Sequence, residues 1–263
     1  ADTSGQGYAG AGIFHMYGGE IAGNVNTASS LNSAGGIMMS DGTFYMHDGE
    51  IRGNKGKQGG GVAIQDKGVF VLEDGSITQN EALGDQGSGG GIFNTGILKL
   101  YGGSITDNKA EGANGGGILG NVSYGLPDDR PNFLLHGNPI VTGNTAKGIE
   151  NNLHLFWSTV TLDGALTEGF AIGISLYSTE SDPNTGAFTD DWETHMVEKD
   201  PSAYFTSDIS GYSISKSAEN EAIVEKVAAE VVGDKKYASL MEAITAAGTK
   251  GTVKLLANIE LST

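Results

Sequence analysis

Two pairs of carboxylates recur at matched places in the chain: Glu20 and Glu50, in GGEIAGN and DGEIRGN, and Asp48 and Asp74, in HDGEI and EDGSI, with Glu73 beside the last. If like positions lie over one another about 4.8 Å apart, as neighbouring strands do, such carboxylates must share a proton or hold a cation. Calcium suits the donor type, and Asp48, Glu50 and Asp74 are the candidate ligands. A uronate lyase needs a carboxylate-bound calcium with a base, and a glycoside hydrolase needs convergent carboxylates, so either chemistry would sit here. A plainer reading competes and is preferred: Asp-Gly at 48–49 and 74–75 are turn dipeptides with solvated neighbours.

The five histidines, His15, His47, His136, His154 and His195, show no helical HExxH or other ligand spacing, so no metal centre is expected of them. Their direction is more informative. His47 and His136 fall in one outward column with Tyr17, Glu73 and Tyr101, and His15 and Tyr45 lie one strand pair across. Such a strip could stack on sugar faces or meet a protein partner, and Tyr17, Tyr45, His47, Tyr101 and His136 are the candidate binding residues. Ordinary β-propensity of exposed tyrosine is the competing explanation.

These columns rest on a repeat. Segments ending in Asn24, Asn54, Asn80, Asn108 and Asn144 read GIFHMYGGEIAGN, GTFYMHDGEIRGN, GVFVLEDGSITQN, GILKLYGGSITDN and NFLLHGNPIVTGN. The closing Asn fall 30, 26, 28 and 36 residues apart, the last interval carrying the insertion SYGLPDDRPN. Within a unit the apolar period is two, which is strand logic. Aligned units give three apolar columns: Phe14, Phe44, Phe70, Leu98, Phe133; Met16, Met46, Leu72, Leu100, Leu135; and Ile21, Ile51, Ile77, Ile105, Val141. One unit is then one coil, too small to bury its own apolar face and stable only in a stack. The closing Asn would form an amide ladder between coils or cap each turn locally. The GGG clusters at 59–61, 89–91 and 115–117 would mark tight corners that need positive φ.

The fold expected is all-β: a right-handed parallel β-helix of about six to seven coils with a short C-terminal α/β appendage. Residues 1–178 hold the repeats, with 152–174 as the last one or two coils. Residues 179–228 are an acidic closing segment with short strands, and 229–263 start or cap a following module. In that last part Ser239 to Gly248 reads as a helix, with Ser239 as N-cap, Glu242 in a capping box and Gly248 as the stop. A helix followed by the strand-like TVKLLANIEL suggests a piece of a longer multi-module chain.

Composition narrows the partners. The chain has 263 residues, a formal charge of −17 and only two arginines, Arg52 and Arg130, so it lacks a phosphate-neutralising footprint and no nucleic-acid partner is expected. Glycine is abundant, 43 residues, but without the Gly-X-Y period of collagen. Cysteine is absent, which removes disulfides, thiolate nucleophiles and thiolate metal sites. No apolar run approaches the roughly 20 residues of a membrane-spanning helix, so no membrane insertion is expected of this segment. The opening ADTSGQG has neither a basic nor an apolar leader region, so no signal peptide is legible there.

The glycine clusters followed by Ile or Val, the GxFxMxxGxIxxN units, and VGDKKYASLMEAITAAGTKGTVKLLANIEL resemble the β-helix repeats of bacterial surface proteins related to the chlamydial polymorphic outer-membrane family. Similar units occur in large cell-wall proteins of gut-dwelling Gram-positive bacteria. The resemblance covers roughly residues 10–175 and 229–263; the clusters here read GGG where the family's read GGA. It implies a pectin-lyase-like fold, an extracellular or cell-surface location and an adhesin-like role toward host or environmental glycan or protein.

That fold also carries polysaccharide lyases and hydrolases, which form the alternative. The polygalacturonase combination of Asn-Thr-Asp, paired Asp, Gly-His-Gly and Arg-Ile-Lys is missing. Asp128 and Asp129 beside Arg130, and Asp190, Asp191, Glu193 and His195, come without the rest of that set and read as solvated loops. Asp182, Asn184 and Gly186 only faintly follow a calcium loop, with the glycine one place early and no acidic twelfth ligand. The expectation is a non-catalytic module with no cofactor, apart from structural Ca2+ on the acidic column.

Overall fold

The computed structural model describes residues 12–28, 33–112, 114–121, 132–177, 182, 184–227, 229–231, 236–237, 240–249 and 251–255. Asp128, Asp129, Arg130 and Ser239, singled out above, lie outside them.

Successive units stack as a parallel β-solenoid of about six turns. One face runs Ile13–Ala22, Thr43–Arg52, Val69–Leu72, Ile97–Leu100, Phe133–Gly137 and Val160–Leu166, each strand parallel to the next. A second face continues from the ends of the first two strands through Ser76–Thr78, Ser104–Thr106 and Ile140–Thr142 to Ala171–Tyr177. Ile37–Met39, Val62–Ile64, Ile92–Asn94, Ile118–Asn121 and Leu153–Phe156 make the third, which joins the later part of Ala171–Tyr177. All three expected columns are in register, Phe14 on Phe44 on Phe70 on Leu98 on Phe133 among them. Inside the stack these side chains are buried, and Met46, Phe70, Leu98 and Ile105 lose all contact with water. The core is therefore a continuous column, and each coil buries its neighbours' apolar faces.

The closing asparagines form a ladder and cap the turns together. In each coil Oδ1 accepts from both the backbone N–H and the Nδ2 of the preceding coil's Asn: Asn54 from Asn24, Asn80 from Asn54, Asn108 from Asn80 and Asn144 from Asn108, at 2.9–3.0 Å. Nδ2 of each also reaches a carbonyl of the coil behind, as Asn80 does to Ile51 at 2.8 Å. Full satisfaction is what allows Asn54, Asn80, Asn108 and Asn144 to be buried. The ladder runs one member further than the repeat suggested, through Asn152, and ends on Asp208.

This ladder gives the glycine clusters a second cause. Gly59 has φ +77°, the corner geometry expected. Gly61 instead has ordinary φ, and a Cβ there would collide with the carbonyl of Gly91 and crowd the amide of Asn80. Space beside the ladder, and not only backbone freedom, demands glycine.

The C-terminal end is closed by non-repetitive chain. Phe205–Ser207 adds a parallel strand to Ala171–Tyr177, and the antiparallel pair Tyr212–Lys216 and Ala222–Lys226 follows. Phe188, Trp192 and Phe205 plug the column, with Phe188 and Phe205 edge-to-face at 5.0 Å. Beyond it Ala229–Val231, Lys236–Tyr237 and Val253–Leu255 form a small antiparallel sheet with the helix Leu240–Ala247. Ala243 packs there with Tyr237, Leu240 and Val253, apart from the solenoid core. Gly248 stops the helix at φ +57° with its N–H on the Ile244 carbonyl, as its position suggested.

Candidate binding surface

The candidate rings sit on the outer side of the first face because inward and outward positions alternate along each strand. Tyr17, His47, Glu73, Tyr101, His136 and Asp163 each follow an inward residue, Met16, Met46, Leu72, Leu100, Leu135 and Leu162 respectively. The backbone register slips at Tyr17, which faces Asp48, but its ring still meets His47.

The column divides into two clusters. In the first, Tyr17 lies on His47 with centroids 4.4 Å apart and planes at 12°, and His15 lies on Tyr45 at 4.8 Å and 7°. His15 Nδ1 meets His47 Nε2 at 2.8 Å, and His47 Nδ1 meets Glu73 Oε2 at 2.6 Å. The carboxylate can only accept, so His47 donates from Nδ1; in the neutral ring Nε2 then accepts from His15 Nδ1. In the second cluster Tyr101 lies on His136 at 3.7 Å, and both donate to Asp163, at 2.7 and 2.9 Å. Burial first, and the Asp163 carboxylate second, push the Tyr101 hydroxyl well above its ordinary range, so Tyr101 stays a neutral donor.

Ring geometry decides what this surface offers. Parallel rings with centroids below about 5 Å must overlap face to face, in the offset arrangement their quadrupoles prefer. One face of each ring is therefore used on its neighbour, while the tyrosine hydroxyls stand at the ring edges. By sequence the strip could stack on sugar faces or meet a protein partner; the ring pairs add hydrogen-bonding edges to what it offers. Tyr17 differs, being 73 % exposed on the first coil. The Tyr17 and Tyr45 hydroxyls have no protein partner among the described residues, whereas the Tyr101 hydroxyl and His136 Nδ1 are committed to Asp163.

The acidic column is occupied by the chain itself. Asp48 and Asp74 each accept from the N–H of the following glycine at 2.7 Å, so the turn reading describes them. Glu20 and Glu50 do lie in register, and the cation between them is Arg52, at 2.6 Å from Glu20 and 3.2 Å from Glu50. Arg52 comes two residues after Glu50 on the same strand and the same face, a pairing visible in sequence once the strand is recognised. In the acidic segment Asp190 accepts from Thr159, Glu193 pairs with Lys216, and Asp182 closes a turn on Asn184 while accepting from the Tyr212 hydroxyl. Among the described residues no three His, Cys, Asp or Glu converge as a metal site.

Sequence reasoning passed over a second aromatic patch. Phe156 lies on Tyr177 at 4.8 Å and 9°, and Trp157, at φ +53°, leans against both. Beside it His154 is buried, bonded through Nδ1 to Ser175, and burial lowers its pKa to about 4. Leu153 pairs with Ile174, a coil of only 21 residues, and that shortening hid the alignment. No helix among the described residues is long and apolar enough to cross a membrane. No protein-family model, curated protein or solved structure matches the chain.

Proposed function

We propose that the chain is a non-catalytic, adhesin-like module of an extracellular or cell-surface protein, and that it binds glycan or protein through the outer side of its first face. The observation that carries the reading is the tile of His15, Tyr17, Tyr45 and His47. Four rings locked by mutual stacking hold the Tyr17 and Tyr45 hydroxyls and His15 Nε2 in fixed places, and so lose little side-chain freedom on binding. A polyhydroxy ligand, such as a glycan, is complementary to groups so placed.

A glycan array tests it with the intact chain and a Tyr17→Ala/His47→Ala/Tyr101→Ala variant. Binding to defined glycans that the variant loses at least tenfold supports the reading; equal binding by both places recognition elsewhere. The polysaccharide-active alternative draws on fold analogy, and the acidic column lends it nothing, since Arg52 and the turn N–H groups already hold those carboxylates. Release of unsaturated or reducing sugar from uronate polymers, abolished by Glu50→Gln, would restore it.

A further inference from the structure

We propose that His15 and His47 form an open, two-imidazole site for a divalent transition metal, with Cu2+ or Ni2+ preferred over Zn2+, which clips the first coil to the second. His15 Nδ1 and His47 Nε2 are 2.8 Å apart. Two nitrogens bound at about 2.0 Å in adjacent square positions are separated by about 2.8 Å, whereas a tetrahedral ion would need them opened to about 3.3 Å. The two nitrogens, held at that spacing by their N–H···N bond, need not separate to take neighbouring positions on a tetragonal ion.

Three further features suit this use. Glu73 accepts from His47 Nδ1 at 2.6 Å, which leaves Nε2 of the neutral ring as a lone-pair donor, the usual arrangement behind a metal-bound imidazole. Each imidazole is stacked on a tyrosine of the other coil, His15 on Tyr45 and His47 on Tyr17, so both rings are held before a metal arrives. The chain's charge of −17 raises the local concentration of cations. On binding, the His15 proton moves from Nδ1 to Nε2 through solvent, both rings turn until their lone pairs meet at the ion, and water fills the remaining positions. Nothing here depends on glycan recognition. The two histidines are 32 residues apart, so the pair answers to no local motif.

The test is titration of the full chain with CuCl2, followed by calorimetry and electron paramagnetic resonance. One ion per chain with two-imidazole hyperfine structure is expected. His15→Asn or His47→Asn should weaken binding at least tenfold and leave one nitrogen, Glu73→Gln should weaken it by about tenfold, and His136→Asn should change nothing. Cu2+ should raise the melting temperature of the wild type and of His136→Asn alone. Wild-type affinity or an unchanged nitrogen count in either His15 or His47 variant would overturn the proposal. Should those variants fold poorly, selective broadening of Tyr17 and Tyr45 ring resonances in the wild type by Cu2+ supports it, and uniform or absent broadening sinks it.

Discussion

The first coil and the last are built from the same columns yet meet water differently. At the N-terminal end Phe14 is 55 % exposed, although its counterpart Phe70 is wholly buried. A Cβ at Gly19 or Gly23 would meet open space, while one at Gly49 or Gly75 would strike the carbonyl of the coil before. At the other end Trp192 is wholly buried, Phe205–Ser207 adds a strand, and Asp208 receives the last amides of the ladder. A repeat contains nothing that ends it, because each Asn accepts from the coil before and donates to the coil after. A carboxylate accepts without donating, and so can terminate such a chain. Closure must come from residues that break the pattern.

The sharpest way to break this comparison is to truncate each end. Trp192→Ala should cost about 3–5 kcal/mol, as removal of a buried aromatic does, measured by urea unfolding. Phe14→Ala should cost less than about 1 kcal/mol; an equal loss would mean that the first coil is covered as well as the last. Within the ladder, Asn80→Ala strips partners from Asn54 and Asn108 in a buried site and should cost about 3 kcal/mol. Asn24→Ala, at the exposed end, should cost about 1 kcal/mol, and equal values would deny the ladder its cooperative burial.

Two titrating groups near the closed end sharpen the comparison further. Burial raises the Asp208 carboxyl to about 6, against the hydrogen bonds from Asn152 that favour its ionised form and with help from Glu150. The folded state therefore holds that proton more tightly than the unfolded one, and stability from Asp208 rises as pH falls from about 6 to about 4. Burial lowers His154 from 6.5 to about 4, so its contribution is lost as pH falls across that window. Each is worth about 3 kcal/mol and they oppose one another. Asp208→Asn should expose a falling stability between pH 6.5 and 4, and His154→Gln a rising one relative to wild type. Parallel profiles for all three proteins would show that neither group is buried as described. The smallest effect is expected at Glu81, half-buried and held below the ordinary carboxylate range by Lys109 and then Lys55: because both lysines are exposed, Glu81→Gln should cost under about 1 kcal/mol, and less in high salt.

Much of the fold was legible because a stacked coil repeats its constraints. Phe44, Met46 and Ile51 need the same environment as Phe70, Leu72 and Ile77, and three apolar columns with a closing Asn were enough to fix register. Legibility failed where the repeat did. Asn152 follows Asn144 by only eight residues, and Asp208 joins the ladder from a segment with no repeat, so neither could be aligned. The candidate surface was half legible: alternation places Tyr17, Tyr45, His47, Glu73, Tyr101 and His136 outside, but Asp163, the partner of Tyr101 and His136, comes after the aligned units.

What the sequence alone determined is which side chains stack and which face outward, since period-two alternation and unit spacing follow from covalent geometry and burial. Only the tertiary structure decided that the rings lie on one another, that Arg52 also reaches Glu20 of the coil before, and that the C-terminal end is closed. Those outcomes depend on distances between coils some 30 residues apart, where side-chain rotation, not sequence period, sets who meets whom.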